Sequence, residues 1–423
     1  MRKIFNFFWK NALIKGSAIV LVGSLVSNFG TYLFHLVMGR LLGPADYGVL
    51  ESLISITYFL GIPIGVLGLV VVKYVSREKN NKEKVASFIK KISRKIFIYG
   101  LVFHLLFLLS FPILKNLVKV NSFVLFLGLG LGSFLSIYLT LFSSILQGIM
   151  QFFKLSLFNI FGAWSKLAVA AILILLGFRV GGAVWAISIS TLLTIILGYE
   201  LVKKQIPLKS SPNIGIQDSL KNIGNYSLAV LVSNLSLVSL FTVDVILARH
   251  FLSPIDAGRY ASLSVLGKVI FFASSPIVSV MFPMVSEKHA NGGKYQKLFI
   301  SSFLMVLAIS IFISAIYFIF PEIMVKILFG KEYLSTAGIL GLFSIFISLY
   351  SLCSLLLNFY LSISKTRPIF LSLFFAIFQI VLINIYHRNI EQIVLANIAS
   401  LSLLLAGLLV YYLKMSVLRI SKG

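Results

Sequence analysis

Apolar stretches of eighteen or more residues recur along the whole 423-residue chain, separated mostly by short polar connections. A run of that length, wound as a helix, crosses the hydrocarbon of a bilayer. A chain made of such runs folds as a bundle of membrane-spanning helices, not around a water-soluble core. Composition agrees, with 59% hydrophobic and 12% charged residues and a mean hydropathy of +1.02. Soluble domains carry roughly twice that charged share, about 25%. The expected fold class is an all-α integral membrane protein with about twelve spans. We place them near 16–38, 49–74, 96–114, 123–146, 155–177, 182–202, 223–248, 260–284, 298–320, 337–361, 369–386 and 393–413.

The net charge of +25 would point to nucleic acid in a soluble protein. Here about 25 of the 37 lysines and arginines fall in one alternate set of connections and about nine in the other. That bias implies orientation in a cytoplasmic membrane with both termini inside, and no nucleic-acid partner. Residues 1–15 mix Arg2, Lys3, Lys10 and Lys15 with Phe5, Phe7, Phe8 and Trp9, as an amphipathic segment lying on the membrane does. A single cysteine, Cys353, excludes an intrachain disulfide and any multi-cysteine metal site.

A short motif occurs twice. Residues 39–48 read Gly-Arg-Leu-Leu-Gly-Pro-Ala-Asp-Tyr-Gly, and 249–258 read Arg-His-Phe-Leu-Ser-Pro-Ile-Asp-Ala-Gly. Gly43 precedes the first Pro-x-Asp-x-Gly; Pro44, Asp46 and Gly48 match Pro254, Asp256 and Gly258. A repeat about two hundred residues apart in a membrane chain implies tandem bundles, a common transporter plan. The expected division is 1–202, a cytoplasmic linker 203–222 and 223–423. Six spans in each half make the repeats parallel. Proline at the start of a helix and aspartate in its first turn suit hinges with capped helix ends.

Inside the spans, polar residues line up on single faces. Ser17, Ser24, Asn28, Thr31 and His35 share one face of the first span. Ser133, Ser136, Thr140, Ser143 and Gln147 do so in the fourth, and Ser344, Ser348, Ser351 and Asn358 in the tenth. Small polar residues of this kind either glue helices together or line a cavity. Lysines are more telling, because an ion in hydrocarbon costs about 2.5 kcal/mol or more. Lys166, two turns from Asn159, lies mid-span, too deep to reach water easily, and Lys268 lies about two turns from the external end of its span. Both are expected to face a water-filled cavity. Aligning Arg40 with Arg249 sets His35 opposite Asp244. These residues and Glu51 are either structural clamps or substrate contacts. His104 reads as a packing residue.

The motifs of nucleotide hydrolysis, zinc proteolysis and serine hydrolysis are missing from the sequence. Twelve acidic residues, mostly in loops, leave little for a metal-dependent glycosyltransferase. We therefore expect no catalytic site, no cofactor and no metal.

The Gly39–Gly48 stretch resembles the hallmark of polysaccharide-export flippases of the multidrug/oligosaccharidyl-lipid/polysaccharide superfamily. Leu146-Gln-Gly-Ile-Met-Gln-Phe-Phe153 is similar to a second stretch of that family. The resemblance implies two six-helix bundles forming a V around a central cavity. By alternating access the cavity would pass the sugar head of a polyprenyl-(pyro)phosphate-linked oligosaccharide, while the tail stays in the bilayer. A phosphate linker needs cations, which Lys166 and Lys268 would supply. Implied partners are the lipid-linked glycan, membrane lipids and polysaccharide-assembly proteins, with the transporter itself a monomer. Two alternatives stand beside this reading. A cation-coupled drug antiporter would carry deeper carboxylates, and a membrane-embedded polymerase or glycosyltransferase would carry a long external loop.

Overall fold

A computed structural model describes residues 12–78, 80–206 and 224–420. The basic segment at 1–11 and most of the linker, 207–222, lie outside the described residues, as does the Ser17 side chain. The described chain is helical, without strands, and has ten stretches long and apolar enough to cross a membrane. Two of these, Ile19–Glu78 and Phe152–Lys203, are long enough to cross twice and each contains a break. The outcome is twelve crossing segments, and the chain is a multi-pass membrane protein.

In chain order the helices are α1 (Ala12–Glu78), α2 (Lys82–Leu109), the short α3 (Phe111–Val118), α4 (Phe123–Gly148) and α5 (Phe152–Leu173). They continue with α6 (Arg179–Lys203), α7 (Gly224–Phe251), α8 (Pro254–Ala290), α9 (Gln296–Ile319) and the short α10 (Pro321–Leu328). Then come α11 (Ala337–Ser362), α12 (Arg367–Ile385) and α13 (Ile390–Ile420). The expected loop at 39–48 is a single residue. Gly43 alone leaves the helix (φ 71°, ψ 172°), and the helix restarts at Pro44. Glycine adopts that positive φ without the Cβ penalty other residues meet, and proline loses nothing at a first helical position. The fifth and sixth spans are likewise joined by one π turn, Ile174–Phe178, with Gly177 at φ 93°.

By contact the chain divides into two compact units, Met1–Leu42 with Leu60–Ser219, and Gly43–Phe59 with Leu220–Gly423. The boundary differs from the sequence expectation in one respect. Residues 43–59, assigned by position to the first half, pack within the second unit.

In the first unit α4 packs on α2, α5 and α6, and α5 on α6. Its α4 glycines act as sockets: a Cβ on Gly128 would meet Trp185, on Gly130 His104, and on Gly132 Ser188. His104 is thus packed against α4, with a buried Nδ1 that has no hydrogen-bond partner among the described residues. In the second unit α11 is the central post, packed against α8, α9 and α13, while α7 and α13 flank α12. Aromatic rings fill this core. Of the twelve largest fully buried side chains among the described residues, nine belong to the second unit, among them Tyr260, Phe343 and Tyr360.

Candidate functional site

The two copies of the Pro-x-Asp-x-Gly motif meet inside the second unit. A Cβ on Gly48 would lie 2.7 Å from the Gly258 nitrogen, and one on Gly258 would overlap the Pro44 carbonyl. Only glycine lets these backbones touch. The flanking aspartates have diverged. Ser253 caps α8, accepting the Asp256 amide at 3.1 Å and giving its hydroxyl to the Asp256 carboxylate at 2.7 Å. Asp256 also pairs with Arg259 at 3.3 Å. Asp46 instead acts electrostatically on Arg249, the arginine of the other copy, which is 8% exposed. Tyr47, between Asp46 and Gly48, packs its ring 5.6 Å from Phe329 and 6.5 Å from Tyr333.

Deeper in the same unit a polar chain links four helices. The Gln379 side-chain amide on α12 donates to Asn397 Oδ1 on α13 at 2.8 Å. The Asn397 amide donates to the Tyr260 hydroxyl on α8 at 2.9 Å, and Tyr260 donates to Asp244 Oδ2 on α7 at 2.7 Å. Every donor in this relay points toward the Asp244 carboxylate, an arrangement that stabilises negative charge there. Lys268, two turns beyond Tyr260 on α8, sets its ammonium 4.5 Å from the Phe241 ring and 5.7 Å from Tyr58. Both Asp244 and Glu51 act on it electrostatically. The sequence left too few acids to pair with a deep lysine convincingly; the structure supplies two. Glu51 is buried and belongs to the segment 43–59.

The first unit offers a different setting. Lys166 is half-buried, its ammonium 4.5 Å from the Phe34 ring, and His35 lies edge-on to the same ring at 5.4 Å. The ring, the lysine and the imidazole are held together by the packing of the first half of α1 on α5. That packing is polar at its seams: Ser156 donates to the Ile19 carbonyl, Ser27 to the Asn159 carbonyl and Trp164 to the Val26 carbonyl, at 3.1, 3.1 and 3.3 Å. Asn159 is half-buried, whereas Asn28 and Arg40 are exposed.

The serine stripes resolve simply. Ser133, Ser136 and Ser143 on α4, and Ser344, Ser348 and Ser351 on α11, donate to carbonyls three or four residues earlier on their own helices. Such back-bonding satisfies the hydroxyl proton locally and leaves the oxygen lone pairs to accept from elsewhere. Sequence reasoning missed Tyr260, Gln379 and Asn397. Isolated amides in the apolar twelfth and thirteenth helices were the available signal, masked because neither belonged to a stripe. No group of three or more metal-ligating side chains exists among the described residues.

Residues 37–338 match the family model described as polysaccharide biosynthesis protein. An uncharacterized membrane protein of Methanocaldococcus jannaschii is 27% identical over 164 residues, 37% of this chain and 31% of that protein, so the match spans about a third of the relative's length. Among solved structures, an inward-facing multidrug resistance MATE transporter of the MOP superfamily aligns over 96% of this chain and 100% of its own, at 15% identity and TM-score 0.75. The lipid II flippase MurJ in an inward closed conformation aligns over 93% and 87%, at 14% identity and TM-score 0.66. A MOP transporter from Pyrococcus furiosus, described as having a binding pocket of reverse polarity that suggests a different function, aligns over 96% of both chains at 18% identity and TM-score 0.61. At these identities the structural likenesses establish a shared fold.

Proposed function

Because the chain belongs to the polysaccharide biosynthesis protein family, we propose that it is a flippase for a polyprenyl-(pyro)phosphate-linked oligosaccharide. It would work by alternating access in the cytoplasmic membrane, with both termini inside and with no chemistry performed on the glycan. The observation that carries this reading is the setting of Lys166. Lys166 is a lysine in mid-helix, half-buried beside the Phe34 ring, with the His35 imidazole edge-on to the same ring. Such a site favours an anion, and an ammonium is a point-charge ligand for phosphate. Hydroxyl oxygens along α4 and half-buried Asn159 supply groups of the kind that sugars bind. Lys268 is more enclosed, and its nearness to two acids makes it a weaker candidate for direct contact. A transporter so built would depend on enzymes that make its lipid-linked cargo and on others that assemble the exported glycan.

Complementation of a strain lacking the transporter tests this, with surface glycan and lipid-linked intermediates as readouts. Lys166→Gln is expected to reach the membrane at near-normal levels while export falls about tenfold or more, as loss of a charged phosphate contact worth roughly 1.5–3 kcal/mol implies. Lys166→Arg should keep more activity than Lys166→Gln. Full export by Lys166→Gln would remove the cationic contact; failure of the wild-type chain to restore any lipid-linked glycan export would remove the flippase reading.

A second reading, a cation-coupled drug antiporter, draws on the fold shared with multidrug transporters and on the buried Asp244. Drug resistance conferred by the wild-type chain, lost in Asp244→Asn with surface glycan untouched, would favour it.

A further inference from the structure

Helix α2 carries a group of cations that the transport reading does not use. Its packed side lies on α4. Ile89, Ile96, Gly100 and Phe107 are buried, Tyr138 of α4 donates to the Ser93 carbonyl at 3.3 Å, and a Cβ on Gly100 would meet Phe134 and Ile137. The opposite side is exposed and sharply divided. Lys90, Lys91, Arg94 and Lys95 come first, followed by Ile98, Leu101, Val102, Leu105 and Leu109. At 3.6 residues per turn all nine fall within about 140° of arc, so they form one continuous stripe. Lys90, Arg94 and Lys95 have no ion-pair partner among the described residues, whereas Lys84, nearer the start of the helix, pairs with Glu78 at 3.5 Å. The one acid of α2, Glu83, lies about two turns before Lys90.

The two parts of the stripe differ in length. The cations occupy about 8 Å of helix axis. Ile98 to Leu109 occupies about 16 Å, close to half of a bilayer's ~30 Å hydrocarbon thickness and so to one leaflet. Orientation during insertion asks only that basic residues lie near the end of a span, not that they share the arc of its exposed apolar side chains. A soluble anion would leave the apolar part unused. An anionic head carrying tails of leaflet length fits both parts, with the guanidinium able to grip a phosphate by two donors and the ammoniums acting as point charges.

We propose that this stripe binds an anionic glycerophospholipid. Lys90, Lys91, Arg94 and Lys95 hold its phosphate headgroup, and its tails run along Ile98–Leu109. Binding to folded α2 stabilises the protein by mass action. The site makes no use of the transported molecule, so it stands or falls separately from the flippase reading.

Thermal unfolding of the purified full-length protein in phosphatidylcholine micelles, titrated with dioleoyl-phosphatidylglycerol, tests this. The wild type is expected to show a saturable rise of about 3 °C or more. Arg94→Gln should raise the half-saturating lipid concentration roughly fivefold, the share of one basic residue at an anionic surface. Replacing Lys90, Lys91, Arg94 and Lys95 together by glutamine should abolish most of the rise. A control removes the same charge elsewhere, by glutamine at exposed Lys288, Lys294, Lys297 and Lys365 of the second unit, and should respond as the wild type does. Equal loss in the control would reduce the effect to net charge and overturn the proposal. So would a wild type that does not respond to phosphatidylglycerol, or one that rises as far with inorganic phosphate. The same rise with polyglutamate would point to an acidic protein in place of a lipid and would overturn it as well. Should the fourfold α2 variant fail to accumulate, an Arg94→Gln titration curve identical to the wild type's refutes the site and a right-shifted one supports it.

Discussion

The four buried charged side chains among the described residues, Glu51, Asp244, Arg249 and Lys268, all belong to the second unit, whereas the first keeps its deep lysine, Lys166, half-buried beside Phe34. The two units handle ions within a bilayer differently. In the second, charges and amides are arranged toward one another across α7, α8, α12 and α13, and the arrangement is enclosed by aromatic packing. In the first, polar contacts between α1 and α5 are hydroxyl-to-carbonyl seams, and the cation lies where it has partial access. Fixed partners make a rigid core, because every member of a buried network is costly to move alone. A cation with partial access retains the freedom to meet a partner that comes and goes. Under the proposed function, the contrast gives structural work to the second unit and ligand work to the first.

That assignment can be broken most forcefully at the glycine contact. Gly258→Ala places a methyl group onto the Pro44 carbonyl, which is backbone and has little room to retreat. A loss of at least about 3 kcal/mol is expected, seen as a collapse of monodisperse protein in detergent. Normal yield and unfolding temperature would mean that the segment 43–59 is not held as described.

A smaller loss is expected for Tyr260→Phe, which removes only an oxygen. It strands the Asn397 amide and Asp244 Oδ2 at once, a cost of roughly 1–3 kcal/mol for the unsatisfied groups. Unfolding temperature in nanodiscs reads this out, and an unchanged value would show the relay to be incidental. The contrast between units sharpens at the mild end with Gly65→Ala. That glycine lies in the part of α1 assigned to the first unit, with no atom within 4 Å of an added Cβ. The variant is expected to gain up to ~1 kcal/mol from helix propensity. A marked loss of function at unchanged stability would instead show that bending at this glycine is needed.

Much of the fold was legible in the sequence, because length and hydropathy alone set where helices cross and how many there are. The break points were legible as well: Gly43 before Pro44 is a helix stop followed by a helix start. Its extent was not, since nothing local says that one residue, and not ten, suffices to turn the chain. The site was legible only in part. Lys166, Lys268 and Asp244 stand out because ions are rare in such helices. Tyr260, Asn397 and Gln379 do not, because hydrogen-bonded partners of a buried acid are set by which helices become neighbours. The serine stripes were legible as faces that either glue helices or line a cavity; their hydroxyl protons mostly serve their own helix. The pairing of Gly48 with Gly258 was visible as a repeat but not as a contact, since similarity between two segments carries no information about whether they touch.

The passage of one helix through both units has a consequence for how the protein is made. Residues 43–59 leave the ribosome about 160 residues before the first of their second-unit partners is synthesised. During that interval Glu51 and the Gly48 surface have none of the neighbours that later enclose them. The helix must therefore enter the bilayer incomplete and wait, anchored by its own continuation into 60–78. Expressing the chain as two separate halves cut at the linker would leave the C-terminal product without the piece that fills its own core. The second unit is thus completed by a segment that the chain supplies well before the rest of it.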